Sequence, residues 1–272
     1  MMERPIASPD GCWPAGAGTD ARPHIEVRGL TMAFGDFVLQ RDLDFVIPRG
    51  SIFVIMGGSG CGKSTLLRHI LGLLTPAKGS ILLDGEDLTS IDPARRQTLM
   101  RRFGVLYQSG ALWSSMTLAE NVSLPLEEYT ELSAKEIRAI AELKLAMVGL
   151  RGFEDYYPSE VSGGMQKRAG LARAIALDPE ILCIDEPSAG LDPISSRRLD
   201  ELILELRDSL ETTVVMVTHE LPSIYSIGTD SIFLDAETRT MIASGPPTWL
   251  RENCENPTVR QFMTRGEAPD GR

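Results

Sequence analysis

The segment Gly57-Gly-Ser-Gly-Cys-Gly-Lys-Ser-Thr65 constrains this chain more than any other. Gly57, Gly62, Lys63 and Ser64 satisfy the phosphate-loop pattern G-x-x-x-x-G-K-[ST]. Backbone N–H groups can converge on a polyphosphate only where the chain takes dihedrals open to glycine. The flanks agree. Ser51-Ile-Phe-Val-Ile-Met56 is an apolar run of the buried-strand kind, and residues 64–74 read as a helix whose N-terminus favours an anion. In such a loop Lys63 reaches the β- and γ-phosphates and the Ser64 hydroxyl ligates Mg²⁺. Gly57, Gly58, Ser59, Gly60, Cys61, Gly62, Lys63, Ser64 and Thr65 are therefore the candidate phosphate-binding residues. The bland alternative is a glycine-rich turn between a strand and a helix. Cys61, beside Lys63 and a helix N-terminus, is expected to have a lowered thiol pKa, so that a maleimide would modify it and block hydrolysis.

A second apolar run, Ile181-Leu-Cys-Ile184, ends in Asp185-Glu186. A strand that delivers two carboxylates at its C-terminal end suits metal-assisted phosphoryl transfer. Asp185 would belong to the Mg²⁺ shell, and Glu186 would orient and polarise the attacking water. Alone, such a run often marks a strand running out into solvent; beside a phosphate loop it gains weight.

Ser162-Gly163-Gly164 precedes a helix-like stretch over residues 165–177, and Asp185 follows the serine by 23 positions. This resembles the signature motif of the ATP-binding cassette (ABC) ATPases. Other family elements occur in order. Phe34 lies 29 residues before Lys63, where the family has an aromatic that stacks on adenine. Gln108 ends the strand-like run Phe103-Gly-Val-Leu-Tyr107, like the Q-loop, which implies a catalytic and Mg²⁺-binding role. Ser188-Ala-Gly-Leu-Asp192 resembles the D-loop and brings Asp192 to the nucleotide. His219, after Thr213-Val-Val-Met-Val217, resembles the switch histidine. The resemblance spans about residues 23–250 and implies ATP and Mg²⁺ as cofactors. It also implies a nucleotide-sandwich dimer in which the signature of one copy closes on the ATP of the other. Ser162, the glycine N–H groups and a helix N-terminus would surround a γ-phosphate there without an arginine finger. Two positions depart from the family pattern: Val161 replaces its leucine, and Met165 its glutamine. Phe34 could also be a core residue, and His24 and His69 have no motif around them.

With 272 residues and 43% hydrophobic content, the chain can form a well-packed core. Its four cysteines, at 12, 61, 183 and 254, show no paired or metal-ligand spacing and suit free thiols in a reducing compartment. No apolar stretch approaches the ~20 residues of a membrane span, and no signal peptide is apparent. A net charge of −11 carries no nucleic-acid footprint. Asn121-Val-Ser123 matches a glycosylation acceptor that is expected to stay empty.

The expected fold is α/β. It has a phosphate-loop NTPase core with a mainly parallel sheet, an N-terminal antiparallel β part and an inserted helical subdomain over about residues 109–176. Residues 1–22, rich in Pro, Gly, Ala and Asp, read as a flexible extension; residues 23–250 form the nucleotide-binding domain; residues 251–272 form a tail with a short helix at Pro257-Thr-Val-Arg-Gln-Phe262. Ser133 with Glu136 reads as a capping box opening a helix to about Val148. Residues 93–102 suit a short basic helix, and residues 80–85 a strand ending in a turn. Leu112 and Trp113, unusually apolar for a loop, either pack inside the helical subdomain or meet a membrane partner.

Residue chemistry cannot name a cargo, because an ATPase subunit does not touch it. Gln108-Ser-Gly-Ala-Leu-Trp113, Ser115-Met-Thr-Leu-Ala-Glu-Asn-Val122, His219-Glu-Leu-Pro-Ser-Ile224 and Asn256-Pro-Thr-Val-Arg-Gln-Phe262 look like the Mla/Mce subfamily, which moves phospholipids or related lipids between bacterial membranes. That resemblance implies a second copy of the chain, an integral membrane permease, an Mce-type lipid-binding protein and, in some systems, a STAS-type accessory protein. It also implies a place on the cytoplasmic face of the inner membrane and a tail, around Arg260-Gln-Phe262, at subunit contacts. The alternatives are an ABC ATPase serving a non-lipid solute and a soluble regulatory ABC ATPase.

Overall fold

The computed structural model describes residues 23–108 and 110–264, which form two units: residues 23–92 with 215–264, and residues 93–214. The first unit opens with long strands β1 (Pro23–Phe34) and β2 (Phe37–Pro48), paired antiparallel across the tight turn at Gly35-Asp36. Next come β3 (Ile52–Gly57), α1 (Lys63–Ile70), β4 (Lys78–Leu83) and the two-residue β5 (Glu86–Asp87). Together β2-β1-β4-β5 make an antiparallel sheet. In β2 the side chains from Leu43 to Pro48 alternate between buried and half-buried, whereas β1 buries Leu30, Thr31 and Met32 in succession and β4 buries Ile81, Leu82 and Leu83.

The second unit begins with α2 (Pro93–Met100) and β6 (Phe103–Leu106). It continues through α3 (Leu118–Tyr129), α4 (Ala134–Met147), α5 (Gly163–Ala174), β7 (Ile181–Asp185) and α6 (Pro193–Leu210). The chain passes back to the first unit within β8 (Thr213–Val217) and ends with α7 (Leu221–Ile227), β9 (Asp230–Asp235), β10 (Thr240–Ser244), α8 (Pro247–Asn253) and α9 (Pro257–Met263). In the first unit β3 pairs parallel with β9, and β10 closes on β9 antiparallel. In the second, β6 and β7 pair parallel, from Phe103 opposite Ile181 to Leu106 opposite Ile184. The runs at 52–57 and 181–184 are buried throughout, which is why they read as unbroken apolar stretches.

Local chemistry accounts for the helix ends. The Ser133 hydroxyl accepts from the Glu136 N–H while the Glu136 carboxylate accepts from the Ser133 N–H, the expected capping box. Thr117 and Glu120 make the same reciprocal pair at the start of α3, whose next backbone donors, Leu118 and Ala119, are taken by the carbonyls of Tyr156 and Glu154. Helix α1 is shorter than its apolar pattern, ending at Ile70, because Gly72, with φ of 64°, turns the chain out. Helix α5 ends at Ala174, three residues before its pattern does. Gly104 lets β6 approach the end of that helix: a Cβ there would lie 2.1 Å from the Ala174 carbonyl oxygen. Helix α9 forms where the short C-terminal helix was expected, capped by the Asn256 side chain. Its apolar side turns inward, with the Phe262 ring edge-on to Phe233 of β9 at 5.1 Å, while Arg260 and Gln261 stay exposed. Residues 1–22, with the expected flexible extension and Cys12, and the residues after 264 lie outside the described part.

Candidate functional site

In the first unit, strand β3 runs directly into the glycine loop and the loop into α1. Gly57, Gly60 and Gly62 have φ of 145°, 74° and 98°. At Gly57 the requirement is also steric: a Cβ would lie 2.3 Å from the Leu234 carbonyl oxygen and 2.6 Å from the Cys61 Sγ. Gly62 caps α1 without offering a side-chain acceptor, and the first turn of the helix contains no acidic residue. The leading N–H groups of α1 therefore point out of the loop with no intrahelical acceptor. The Lys63 ammonium bridges the loop, donating to the Gly57 and Gly58 carbonyls at 2.9 and 2.8 Å. Such a loop, positive in potential and lined by backbone donors, is built to hold an anion.

A buried residue that no motif marked steadies the loop. Gln40 of β2 donates through Nε2 to the Cys61 carbonyl and to the Asp235 carbonyl at the end of β9, both at 2.8 Å. Its only sequence signal was a polar residue in the buried register of a strand. Cys61 departs from expectation. Its side chain is fully buried, and that burial, outweighing the nearby charge of Lys63, raises its thiol pKa. The expected lowered pKa does not hold, because desolvation disfavours the thiolate more than the ammonium favours it. Phe34, at the end of β1, is 56% exposed and so is not a core residue. His219 follows β8, half-exposed, with Nε2 3.6 Å from a Glu220 carboxylate oxygen. His24 and His69 are buried, and the His69 ring bonds to the Thr65 carbonyl one turn back in α1.

In the second unit, β7 carries Asp185 at its end and Glu186 just beyond. Glu186 has φ of 48°, a left-handed conformation that costs a non-glycine residue about 1–2 kcal/mol. Ser162 is the N-cap of α5 and accepts from the Met165 N–H at 3.3 Å, while Gly163 leaves open space where a side chain would stand. The family glutamine is replaced by Met165, but the next residue, Gln166, is engaged: its amide donates to the Pro158 and Val161 carbonyls at 2.8 and 3.4 Å, pinning the approach to the signature. Asp192 caps α6, accepting from the Ile194 and Ser195 N–H groups, both at 3.0 Å; its pKa is lowered by the hydrogen bonds from Ser195, side chain and backbone. Gln108 lies exposed after β6, and the chain beyond it is anchored by Arg173 of α5, which donates to the Gly110 and Ala111 carbonyls at 2.9 and 2.8 Å. Ser109 is outside the described residues. Trp113 is 62% exposed and Leu112 half-buried, so the tryptophan does not pack inside the helical part.

The anion loop and the paired carboxylates at the end of a buried strand define a phosphate-loop NTPase of cassette type. The family model described as ABC transporter matches residues 40–189, and this chain belongs to that family. It is 41% identical to the "Intermembrane phospholipid transport system ATP-binding protein MlaF" of Escherichia coli (strain K12), over 88% of each chain. It is equally 41% identical to the "Probable ribonucleotide transport ATP-binding protein mkl" of Mycobacterium tuberculosis (strain ATCC 25618 / H37Rv), over 93% of this chain and 70% of that one. Among solved structures, the dimeric bacterial ABC transporter cassette MJ0796 matches at a TM-score of 0.73 with 29% identity, covering 81% of this chain and 97% of that one. CbiO1 from Clostridium perfringens matches at 0.77 with 25% identity, covering 89% and 95%. The fold is that of an ABC ATPase, and the chain is an ATP-binding, ATP-hydrolysing transport subunit.

Proposed function

We propose that this chain is the motor of a transporter that moves phospholipids or related lipids between membranes, working as a nucleotide-sandwich dimer on a permease. The observation that carries the lipid reading is the 41% identity to MlaF over 88% of both chains. The mkl relative, of equal identity but longer than the match, supports a second reading in which the cargo is a polar solute.

Lys63 and the loop N–H groups would hold the β- and γ-phosphates, Ser64, Asp185 and Gln108 the Mg²⁺ ion, and the exposed ring of Phe34 the adenine. The glycine dihedrals fit this group, since they turn backbone N–H groups toward one point, and the close approach of Gly57 to the Leu234 carbonyl and the Cys61 Sγ fixes the loop in that shape. The metal would neutralise charge on the phosphate oxygens. Glu186 would orient the attacking water and draw its proton, with His219 as the switch residue beside the γ-phosphate. Ser162, Gly163 and Gly164 of one copy would close over the nucleotide of the other, with Asp192 at the same seam. The permease would seat the dimer at the cytoplasmic face of the inner membrane. This suits a chain in which no helix among the described residues is long and apolar enough to cross a bilayer. Exposed Trp113 would face the permease. An Mce-type lipid-binding protein and a STAS-type accessory protein complete the proposed assembly, with the tail around Arg260-Gln-Phe262 at a subunit contact.

The experiment compares Glu186→Gln with Lys63→Ala in complexes assembled with the permease. Glu186→Gln is expected to lose turnover on the order of 100-fold or more while trapping ATP; Lys63→Ala is expected to lose nucleotide. Near wild-type hydrolysis by Glu186→Gln would overturn the catalytic assignment, and an inactive Glu186→Gln holding no more nucleotide than Lys63→Ala would overturn the trapped sandwich. The cargo is read separately, from phospholipid that copurifies with the native membrane complex. A complex free of lipid but stimulated by ribonucleotides would favour the second reading.

A further inference from the structure

We propose that Lys167 is a positioning residue that ties the turn behind Glu186 to the first turns of the signature helix, so that α5 sets the glutamate of its own subunit. The inference deepens the proposed function and rests on Glu186 as the water-orienting carboxylate.

Lys167 lies just beyond the Ser162 cap of α5 and is only 7% exposed. Lysines are almost never buried so far without a partner. Here the partners are two backbone carbonyls: Nζ donates to the Pro187 oxygen at 2.6 Å and to the Ala189 oxygen. Both belong to the segment that follows Glu186. That segment closes on itself through two backbone bonds, from the Ala189 N–H to the Glu186 carbonyl at 3.3 Å and from the Leu191 N–H to the Ser188 carbonyl at 3.0 Å. It must also keep Glu186 in a left-handed conformation, with φ of 48°, that the glutamate would not choose. Two charge-assisted bonds from one ammonium are stronger than neutral ones and aim at neighbouring points of the turn. Burial lowers the pKa of Lys167, and the nearby charge of Glu186 opposes that shift. A buried cation is a poor device for stability alone, because an apolar side chain of similar size often serves as well. It is a good device for holding two carbonyls, and through them one carboxylate, at a fixed distance from the helix that meets the partner's nucleotide.

The test uses the permease-bound ATPase with Lys167→Met, Lys167→Gln and Lys167→Arg, each also combined with Glu186→Gln. Lys167→Met is expected to lower kcat on the order of 100-fold, the scale of a small misplacement of a reacting group, with KM for ATP and the melting temperature little changed. Lys167→Arg, which keeps charge and donors, should restore most of the rate. Should Lys167→Met fail to fold, Lys167→Gln serves, since its shorter amide cannot span both carbonyls and should also lose kcat at constant KM. In the Glu186→Gln background no Lys167 substitution should lower the residual rate further. Wild-type kcat in a folded Lys167→Met or Lys167→Gln, or an added loss in the double variant, would overturn the inference while leaving Glu186 catalytic. Wild-type turnover by Glu186→Gln alone would overturn the catalytic reading and this inference with it.

Discussion

Cys61 shows how two opposite influences on one atom are resolved only by the fold. Its neighbours in the chain, Lys63 and a helix N-terminus, favour a thiolate. Its position inside the loop, with Sγ against Gly57 and no exposed surface, favours the thiol, and burial is the larger influence. Cys183 is buried in β7, which pushes its thiol far up, and Cys254 is buried after α8. We expect none of the three to react with a maleimide at neutral pH in the folded protein, and all three to label once guanidinium unfolds it. Peptide mass spectrometry reads this directly. Labelling of Cys61 in the native state, with loss of ATPase activity, would mean that the loop opens enough to expose it.

At the scale of an element, Asn121 of α3 carries the loop that follows Gln108. The Asn121-Val-Ser123 pattern has the look of a glycosylation site, yet Asn121 is fully buried. Its Oδ1 accepts from the Trp113 N–H at 2.7 Å, and its Nδ2 lies within 3.1 Å of the carbonyls of Trp113, Met116 and Thr117. One amide thereby holds the segment that presents Trp113 to solvent. Replacing it with alanine removes all four of these bonds, and we expect Asn121→Ala to lower unfolding stability by about 1–3 kcal/mol. Urea denaturation measures the change; an unaltered midpoint would mean that water replaces the amide. The capping box at Ser133 and the strand that runs into the turn at Asp84-Gly85 were legible because their determinants are close in sequence. The end of α5 was not, because its apolar pattern runs on past the last helical residue.

At the scale of the whole molecule, the proposed assembly has a second copy meeting the exposed N-terminus of α5. Ser162 and Gly163 lie at the surface with no acidic residue in that turn. We expect Ser162→Arg to abolish ATP turnover in the permease complex while leaving a single subunit folded, because it puts bulk and charge where the proposed sandwich would place a phosphate. Met165→Gln should change turnover by no more than several-fold, since Ser162 and the helix N–H groups remain and the Gln166 amide already fastens the segment before them. Steady-state ATPase assays on both variants decide the matter; an inactive but folded Met165→Gln would assign the methionine a role of its own.

From residues alone came the phosphate loop, the paired acids, the signature serine and their order. Each of these is a local requirement: a glycine dihedral, a carboxylate at a strand end, a cap at a helix start. The tertiary structure decided what depends on distant residues sharing space. It placed Gln40 under the Cys61 carbonyl, 21 positions away, and Lys167 against the carbonyls of Pro187 and Ala189. It also decided that Cys61 is a buried thiol and that Phe34 and Trp113 face water. Burial and hydrogen-bond pairing are sums over neighbours brought in by folding, and no window of sequence contains them.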